Sequence, residues 1–213
     1  LDTGDVVVVA HKIVSKAEGR IRRLAEIEPG DEASALAVKL HKDARHVQAV
    51  LDETAELVRD ERVLICRTRH GFVCANAGVD ASNAPDGCVV LLPEDPDASA
   101  RRLRAALPGR PAVVIADSFG RAWRVGQCDV AIGIAGIVAV DDWQGRTDLS
   151  GRELEATAIA VADEAAAAAD LARAGKDAGE PVVVVSGLAR FVSEDDGPGA
   201  AALVRARADD LFR

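Results

Sequence analysis

The sequence predicts an α+β fold in which helices pack on mixed β-sheets, and three observations predict it. Apolar runs rich in β-branched residues recur along the chain at 5–10 (DVVVVA), 112–116 (AVVIA) and 181–185 (PVVVV), each with the length of a buried strand. Segments of helical periodicity lie between them, the longest carrying five consecutive alanines at 165–169. Composition agrees: of 213 residues 49% are hydrophobic but only 3% aromatic, so Val, Ala, Leu and Ile must build the core. The length suits one domain spanning 1–213 or two interlocked lobes.

Taken in order, residues 5–10 form a strand and 11–23 (HKIVSKAEGRIRR) a polar turn. That turn sets Lys12, Lys16 and Arg20 at four-residue steps, aligned on a helical face or crowded in a loop at the strand's carboxyl end. Such a cluster in an acidic protein suits phosphate groups, and the plainer reading is a solvated basic turn. Helices follow at 33–41 and, capped by Asp43, at about 45–59, where Val47, Val50, Leu51, Ala55 and Val58 share one side. His41 and His46 on this hairpin read as packing or surface residues.

A strand at 63–66 leads into TRHGFVCANAGVDASN at 68–83, which alternates through Phe72 and Cys74 and then breaks into small residues. Asn and Gly suit a tight loop approaching a ligand, and Asp80, Ser82 and Asn83 supply oxygen and amide groups there. A strand at 87–92, a loop at 93–98 and a helix with three arginines at 99–107 come next.

The strand at 112–116 is expected to stop at Asp117-Ser118, before a turn at Gly120. A carboxylate and a hydroxyl at a strand end can hold a divalent metal or a phosphate, or merely cap a turn. Arg121 and Arg124 bracket Trp123 just beyond. Apolar residues 137–140 precede Asp141-Asp142, a turn at 147–151, and the longest helix at 152–171, in which Asp163-Glu164 read as exposed acids. A polar loop at 173–180, the strand at 181–185 and a final helix ending at Arg213 complete the chain.

Charge and cysteine usage exclude several classes. A net charge of −9 repels nucleic acid and anionic membrane, and no apolar run reaches the length of a membrane span. With no signal-peptide pattern, the expected location is cytoplasmic. Cys66, Cys74, Cys88 and Cys128 contain no CxxC and sit in or beside apolar runs, which predicts buried free thiols rather than zinc ligands. The chain has no Met, and Leu1 is expected not to be the translated start.

Two oxygen-rich loops and two cationic loops together describe a site for Mg²⁺ or Mn²⁺ with phosphate, hence nucleotide phosphoryl transfer. Neither GxxxxGK[ST] nor GxGxxG occurs, so the predicted fold is not of the P-loop type.

Four blocks carry a family resemblance: HKIVSKAEGR at 11–20, GFVCANAGVDASN at 71–83, DSFGRAWRVGQCDVAIGIAG at 117–136 and TDLSGRELEAT at 147–157. In this order, over nearly the whole chain, they resemble the coenzyme F420-0 gamma-glutamyl ligase family. The resemblance implies a non-P-loop α+β enzyme, an intertwined homodimer, that uses GTP to add L-glutamate to a deazaflavin coenzyme precursor and to extend it by γ-glutamyl bonds. It implies Mn²⁺ or Mg²⁺, assisted by K⁺, with Asp80 and Asp117 as metal ligands and Ser118 touching a second metal. Asn83, His11, Lys12 and Lys16 fall at nucleotide-contact positions, and the loop around Gly175 and Lys176 resembles a further nucleotide segment. The chain departs from the pattern at His11, where Ser is usual, and in a shorter stretch between Arg104 and Ala112. The family's amino-terminal segment, which supplies another nucleotide contact, is read as missing before Leu1. Two rivals share the carboxylates: a metal-dependent nucleotide hydrolase, and a GTP-binding protein without catalysis.

Overall fold

The computed structural model describes residues 1–2, 4–173, 175 and 177–210. In chain order it contains β1 (Val6–Ala10), α1 (His11–Ala17), β2 (Ile21–Arg23), α2 (Asp31–Leu40), α3 (Ala44–Asp52), β3 (Thr54–Asp60), β4 (Leu64–Thr68), β5 (Val73–Ala75) and β6 (Cys88–Val90). Then come α4 (Pro96–Ala106), β7 (Ala112–Arg121), β8 (Arg124–Ala135), β9 (Asp141–Asp142), β10 (Ala158–Ile159), α5 (Val161–Ala172) and β11 (Val182–Val185). Helices and several small sheets are thus interspersed, and the fold class is α+β.

The chain divides into two compact units. The first comprises Leu1–Val9, Asp97–Ala116 and Asp129–Arg213. It is built on a four-stranded sheet in the order β11-β1-β7-β8, with β1 and β11 antiparallel in the register Val6↔Val185 to Val9↔Val182. Alternate residues Val6, Val8, Ala112, Val114 and Ala116 share a core with Val161, Ala162, Ala165, Ala166 and Ala169 of α5. The alanines explain the pairing, because short side chains let a helix lie close on a sheet. Val7, Val9, Val113 and Ile115 on the opposite face are buried as well, so these strands read as unbroken apolar runs.

The second unit comprises Ala10–Pro96 and Asp117–Cys128. It contains a β3-β4-β5 sheet, a β2-β6 pair and the helices α1, α2 and α3. Its core gathers Ala33, Leu36 and Ala37 from α2, Val47 and Val50 from α3, Leu64 and Cys66 from β4, and Val79, Val89 and Leu91. Asp43 caps α3 by accepting a hydrogen bond from Arg45 N at 2.8 Å, as its position before the helix predicts.

The structure corrects five expectations. The helix from about 45 to 59 ends at Asp52, and Ala55 and Val58 belong to β3, whose pairing with β4 outweighs the helical spacing of those two residues. The polar turn at 11–23 is instead a short helix and a strand. The helix expected at 152–171 begins only at Val161. Residues 152–157 have good helix formers, yet Leu154 N donates to Arg146 O, Gly145 N to Leu154 O and Trp143 N to Thr157 O, so tertiary pairing overrides propensity. The final helix is replaced by 3₁₀ turns at Ala200–Leu203 and Arg207–Asp209, and residues 211–213 lie outside those described. Finally, β7 does not stop at Asp117: it runs to Arg121 and folds back as β8 after two residues.

All four cysteines are free, with Cys66 and Cys74 buried and Cys88 and Cys128 half-buried. Among the described residues no helix is long and apolar enough to cross a membrane.

Candidate functional site

Helix α1 starts directly where β1 ends, and its first two residues reach two different carboxylates. His11 places Nε2 3.3 Å from Asp117 Oδ1. Lys12 places Nζ 2.6 Å from Asp80 Oδ2. Because consecutive helical residues point about 100° apart, one turn of backbone serves two separate positions.

Asp80 is held from both sides. Its backbone pairs with Val90 of β6, with Asp80 N donating to Val90 O at 3.1 Å and Val90 N to Asp80 O at 2.9 Å. The loop that delivers it needs left-handed backbone at Asn76, Ala77 and Gly78, with φ of 51°, 51° and 73°. Only glycine suits the last of these, since a Cβ there would lie 2.6 Å from the Leu92 side chain. The carboxylate accepts from Lys12 Nζ, from Ser82 N at 2.8 Å and from Ser82 Oγ at 2.6 Å. Lys12 Nζ donates also to Ser82 O and Oγ, at 3.1 and 2.6 Å. Burial pushes the Asp80 carboxyl up, but the Lys12 and Ser82 hydrogen bonds outweigh it and hold the group at about 2.

Asp117 sits on β7 rather than on a loop, in a more enclosed place. Its side chain is 18% exposed, and Oδ1 accepts from the backbone N of Ser118 at 2.8 Å. His11, only 2% exposed, faces it. The His11 Nδ1 lies 3.3 Å from Ser15 Oγ, one helical turn on. The buried Cys74 thiol is pushed up to about 12, first by its own burial and then by the nearby Asp117 charge. It therefore stays a thiol rather than a thiolate. Phe72 meets Phe119 edge-on at 6.3 Å and stacks on His70 at 5.7 Å, which anchors the face of β7 that also carries Asp117.

The structure thus brings His11 and Lys12 together with Asp117 and Asp80, and sets Ser118 beside Asp117. Lys16 is exposed in the last turn of α1, and Asn83 is exposed with a left-handed φ of 54°. Arg20 leaves the cationic row: it lies past the helix end, donating to Leu92 O at 2.9 Å and Glu53 Oε2 at 2.7 Å. Arg121 donates to Val125 O across its own hairpin, whose tip exposes Trp123 and Val125. Gly175 is exposed with φ of 128°, and Lys176 lies outside the described residues. Asp141 accepts from Trp143 Nε1 and Arg146, which holds it within its own turn. Asp163 is not an exposed acid but a partly buried one that accepts from Ala131 N at 2.9 Å.

Sequence reasoning missed the approach of Cys74 and Phe72 to Asp117 and Phe119. The signal was present in the alternation: residues 72 and 74 fall on one strand face, and 117 and 119 on another.

A model of the family described as F420-0:Gamma-glutamyl ligase matches residues 1–187. The chain is similar to the coenzyme F420:L-glutamate ligase of Methanothermobacter thermautotrophicus, at 46% identity over 99% of this chain and 85% of that protein. It is similar also to the ligases of the same name from Methanopyrus kandleri, at 45% over 100% and 87%, and Archaeoglobus fulgidus, at 49% over 88% and 77%. The chain, an enzyme of the ligase class, belongs to the F420-0:gamma-glutamyl ligase family.

Proposed function

We propose that the protein joins L-glutamate to the coenzyme F420-0 acceptor and extends it through γ-glutamyl bonds, with GTP as the energy source. The names of the relatives support the acceptor and the amino acid. One observation carries the site: consecutive residues at the start of α1 address Asp117 and Asp80, which sets a cation and an imidazole against two carboxylates in one unit.

In the proposed reaction a carboxylate oxygen of the acceptor attacks the γ-phosphorus of GTP, and the bond to the β-phosphate oxygen breaks to release GDP. The resulting acyl phosphate is attacked by the glutamate amine, which loses a proton as inorganic phosphate leaves with the C–O bonding pair. No covalent bond to the protein forms, so positioning and charge compensation are its contribution. Lys12 and Lys16 would neutralise phosphate oxygens, and Asn83 would donate to the nucleotide.

The residues present fit a divalent cation. Asp80, Asp117 and the Ser118 hydroxyl are hard oxygen donors of the kind that Mg²⁺ and Mn²⁺ take. Among the described residues no three His, Cys, Asp or Glu side chains gather as a ready cage, so phosphate oxygens and water would complete the coordination. When bound, the cation supplies charge compensation for the transferring phosphoryl group. K⁺ has a place in this reading only as an assisting ion.

Mass spectrometry of deazaflavin products after incubation with GTP, Mn²⁺ and L-glutamate tests the reading. Products heavier by one or more glutamyl residues are expected, with GDP and phosphate formed in step. GTP turnover that ignores acceptor and glutamate would show a hydrolase instead, and binding without turnover a non-catalytic protein. The enzyme is read as a cytoplasmic homodimer; light scattering that returns a single-chain mass at micromolar concentration would reject the dimer.

A further inference from the structure

We propose that His11 is a direct ligand of the divalent cation at Asp117, which makes the position a mixed nitrogen–oxygen site favouring Mn²⁺ over Mg²⁺. The inference rests on the reading that Asp117 binds a cation, and it adds a donor that this reading does not contain.

Three features carry it. The His11 side chain is 3% exposed, and its Nε2 is buried without any hydrogen-bond partner. Nε2 nevertheless stands 3.3 Å from Asp117 Oδ1, near enough for an ion pair but without the direction of a hydrogen bond. A nitrogen and an oxygen that approach without pointing at each other have the relation of two ligands aimed at a third point. Donors bound to one metal at about 2.1–2.2 Å are separated by about 3.0 Å at an octahedral angle and about 3.5 Å at a tetrahedral one. The observed spacing falls inside that interval.

The other ring nitrogen supplies the third feature. Nδ1 lies 3.3 Å from the Oγ of fully buried Ser15, fixed one turn along the same helix. The tautomer that donates Nδ1–H to Ser15 leaves the Nε2 lone pair toward Asp117, the arrangement by which metal-binding histidines are usually oriented.

An imidazole donor changes metal preference, because nitrogen suits the later first-row ions better than it suits Mg²⁺. Asp80 is met instead by the Lys12 ammonium and the Ser82 hydroxyl.

The test is electron spin-echo spectroscopy of the full chain loaded with Mn²⁺ alone and with Mn²⁺ plus GDP. A directly coordinated imidazole ¹⁴N coupling is expected, changing to ¹⁵N when histidine is labelled. It should vanish in His11→Ser. By titration, His11→Ser should lower Mn²⁺ affinity by about tenfold or more and Mg²⁺ affinity by less than about threefold. A wild-type spectrum without imidazole coupling rejects the inference without reliance on a variant's folding, and His46→Gln, in which the coupling should persist, excludes His46 as its source. Mn²⁺ bound in an Asp117-dependent manner without nitrogen coupling, or an unchanged Mn²⁺-to-Mg²⁺ ratio, would overturn the inference and leave the Asp117 reading standing. Mn²⁺ binding indifferent to Asp117→Asn would overturn both.

Discussion

The carboxylates around α1 and those around α5 are both partly withdrawn from water, yet they are met by different partners. Asp117 and Asp80 face an imidazole and an ammonium group, and Asp80 keeps 47% of its side chain exposed. Near α5, Asp163 accepts a backbone N–H from Ala131, while Asp129, 3% exposed, pairs with Arg173, 11% exposed. The α5 acids close backbone and charge within their own unit. Those at α1 combine charge with access, as a site for a ligand requires. Burial of an acid therefore does not identify a site; the identity of its partners and its reach to solvent do.

The largest expected effect separates the two groups on activity. Asp117→Asn keeps the size of the side chain but removes the charge that would bind a cation, so ligation should fall by several orders of magnitude. Added Mn²⁺ should raise the melting temperature of the wild type much more than that of the variant. A variant that keeps both activity and metal stabilisation would return Asp117 to a structural role like that of Asp163.

Asp129→Asn should do the reverse. It leaves the Arg173 guanidinium buried against a neutral group, and breaking a buried pair costs about 3–5 kcal/mol. Unfolding in denaturant should show that loss, while the KM for GTP in the surviving folded protein stays near that of the wild type. A stability loss below about 1 kcal/mol would place the pair among ordinary surface bridges.

The contrast between these groups was only partly legible in the sequence. Asp80 and Asp117 stand out as isolated acids beside strand-like runs, and Lys12 and Lys16 as cations in an acidic chain. What local patterns could not give was the partner of each. Arg20 continues the spacing of Lys12 and Lys16, yet it leaves their row because α1 ends at Ala17 and Glu53 lies within its reach. Asp163 looks solvated in an alanine-rich helix, but Ala131 N of β8 claims it. The fold class was readable because the β-branched runs at Val6–Ala10, Ala112–Ala116 and Val182–Val185 all form strands, the first two buried over nearly their whole length and the third with Val182 and Val184 exposed. Residues 152–157 misled for the opposite reason: their helix propensity is real, and pairing with 143–146 overrides it. Likewise, the unbroken apolar run ends at Asp117 although the strand continues to Arg121, its residues passing from buried to exposed along the second half.

Among the cations, Lys16 is exposed whereas Lys12 is tied to Asp80 and Ser82. Lys16→Ala should weaken GTP binding by about 1–3 kcal/mol, the value of a charge-assisted hydrogen bond, with folding unaltered. Calorimetry with unchanged GTP affinity would make Lys16 a solvated surface residue.

The smallest expected effect is a difference in the pH dependence of stability between Asp80 and Asp163. Asp80 is held at about 2 in the fold against the ordinary carboxylate value of 3.8, so the folded state binds its proton less readily than the unfolded chain does. Its contribution is complete above the unfolded value and is lost as pH falls through the folded one, between about pH 5 and 2. With the side chain 47% exposed, solvent screening reduces that contribution to roughly 1 kcal/mol. Asp163 is raised by burial, which the Ala131 N–H only partly offsets. The unfolded chain therefore ionises first, and Asp163 costs stability progressively as pH rises above about 4. Unfolding of Asp80→Asn and Asp163→Asn, followed from pH 2 to 7, should give two difference curves against the wild type with opposite slopes. Relative to wild type, Asp80→Asn should become less stable as pH rises, and Asp163→Asn more stable. Parallel curves would mean that Lys12 and Ser82 do not hold Asp80 ionised, and that the two groups of acids differ in position alone.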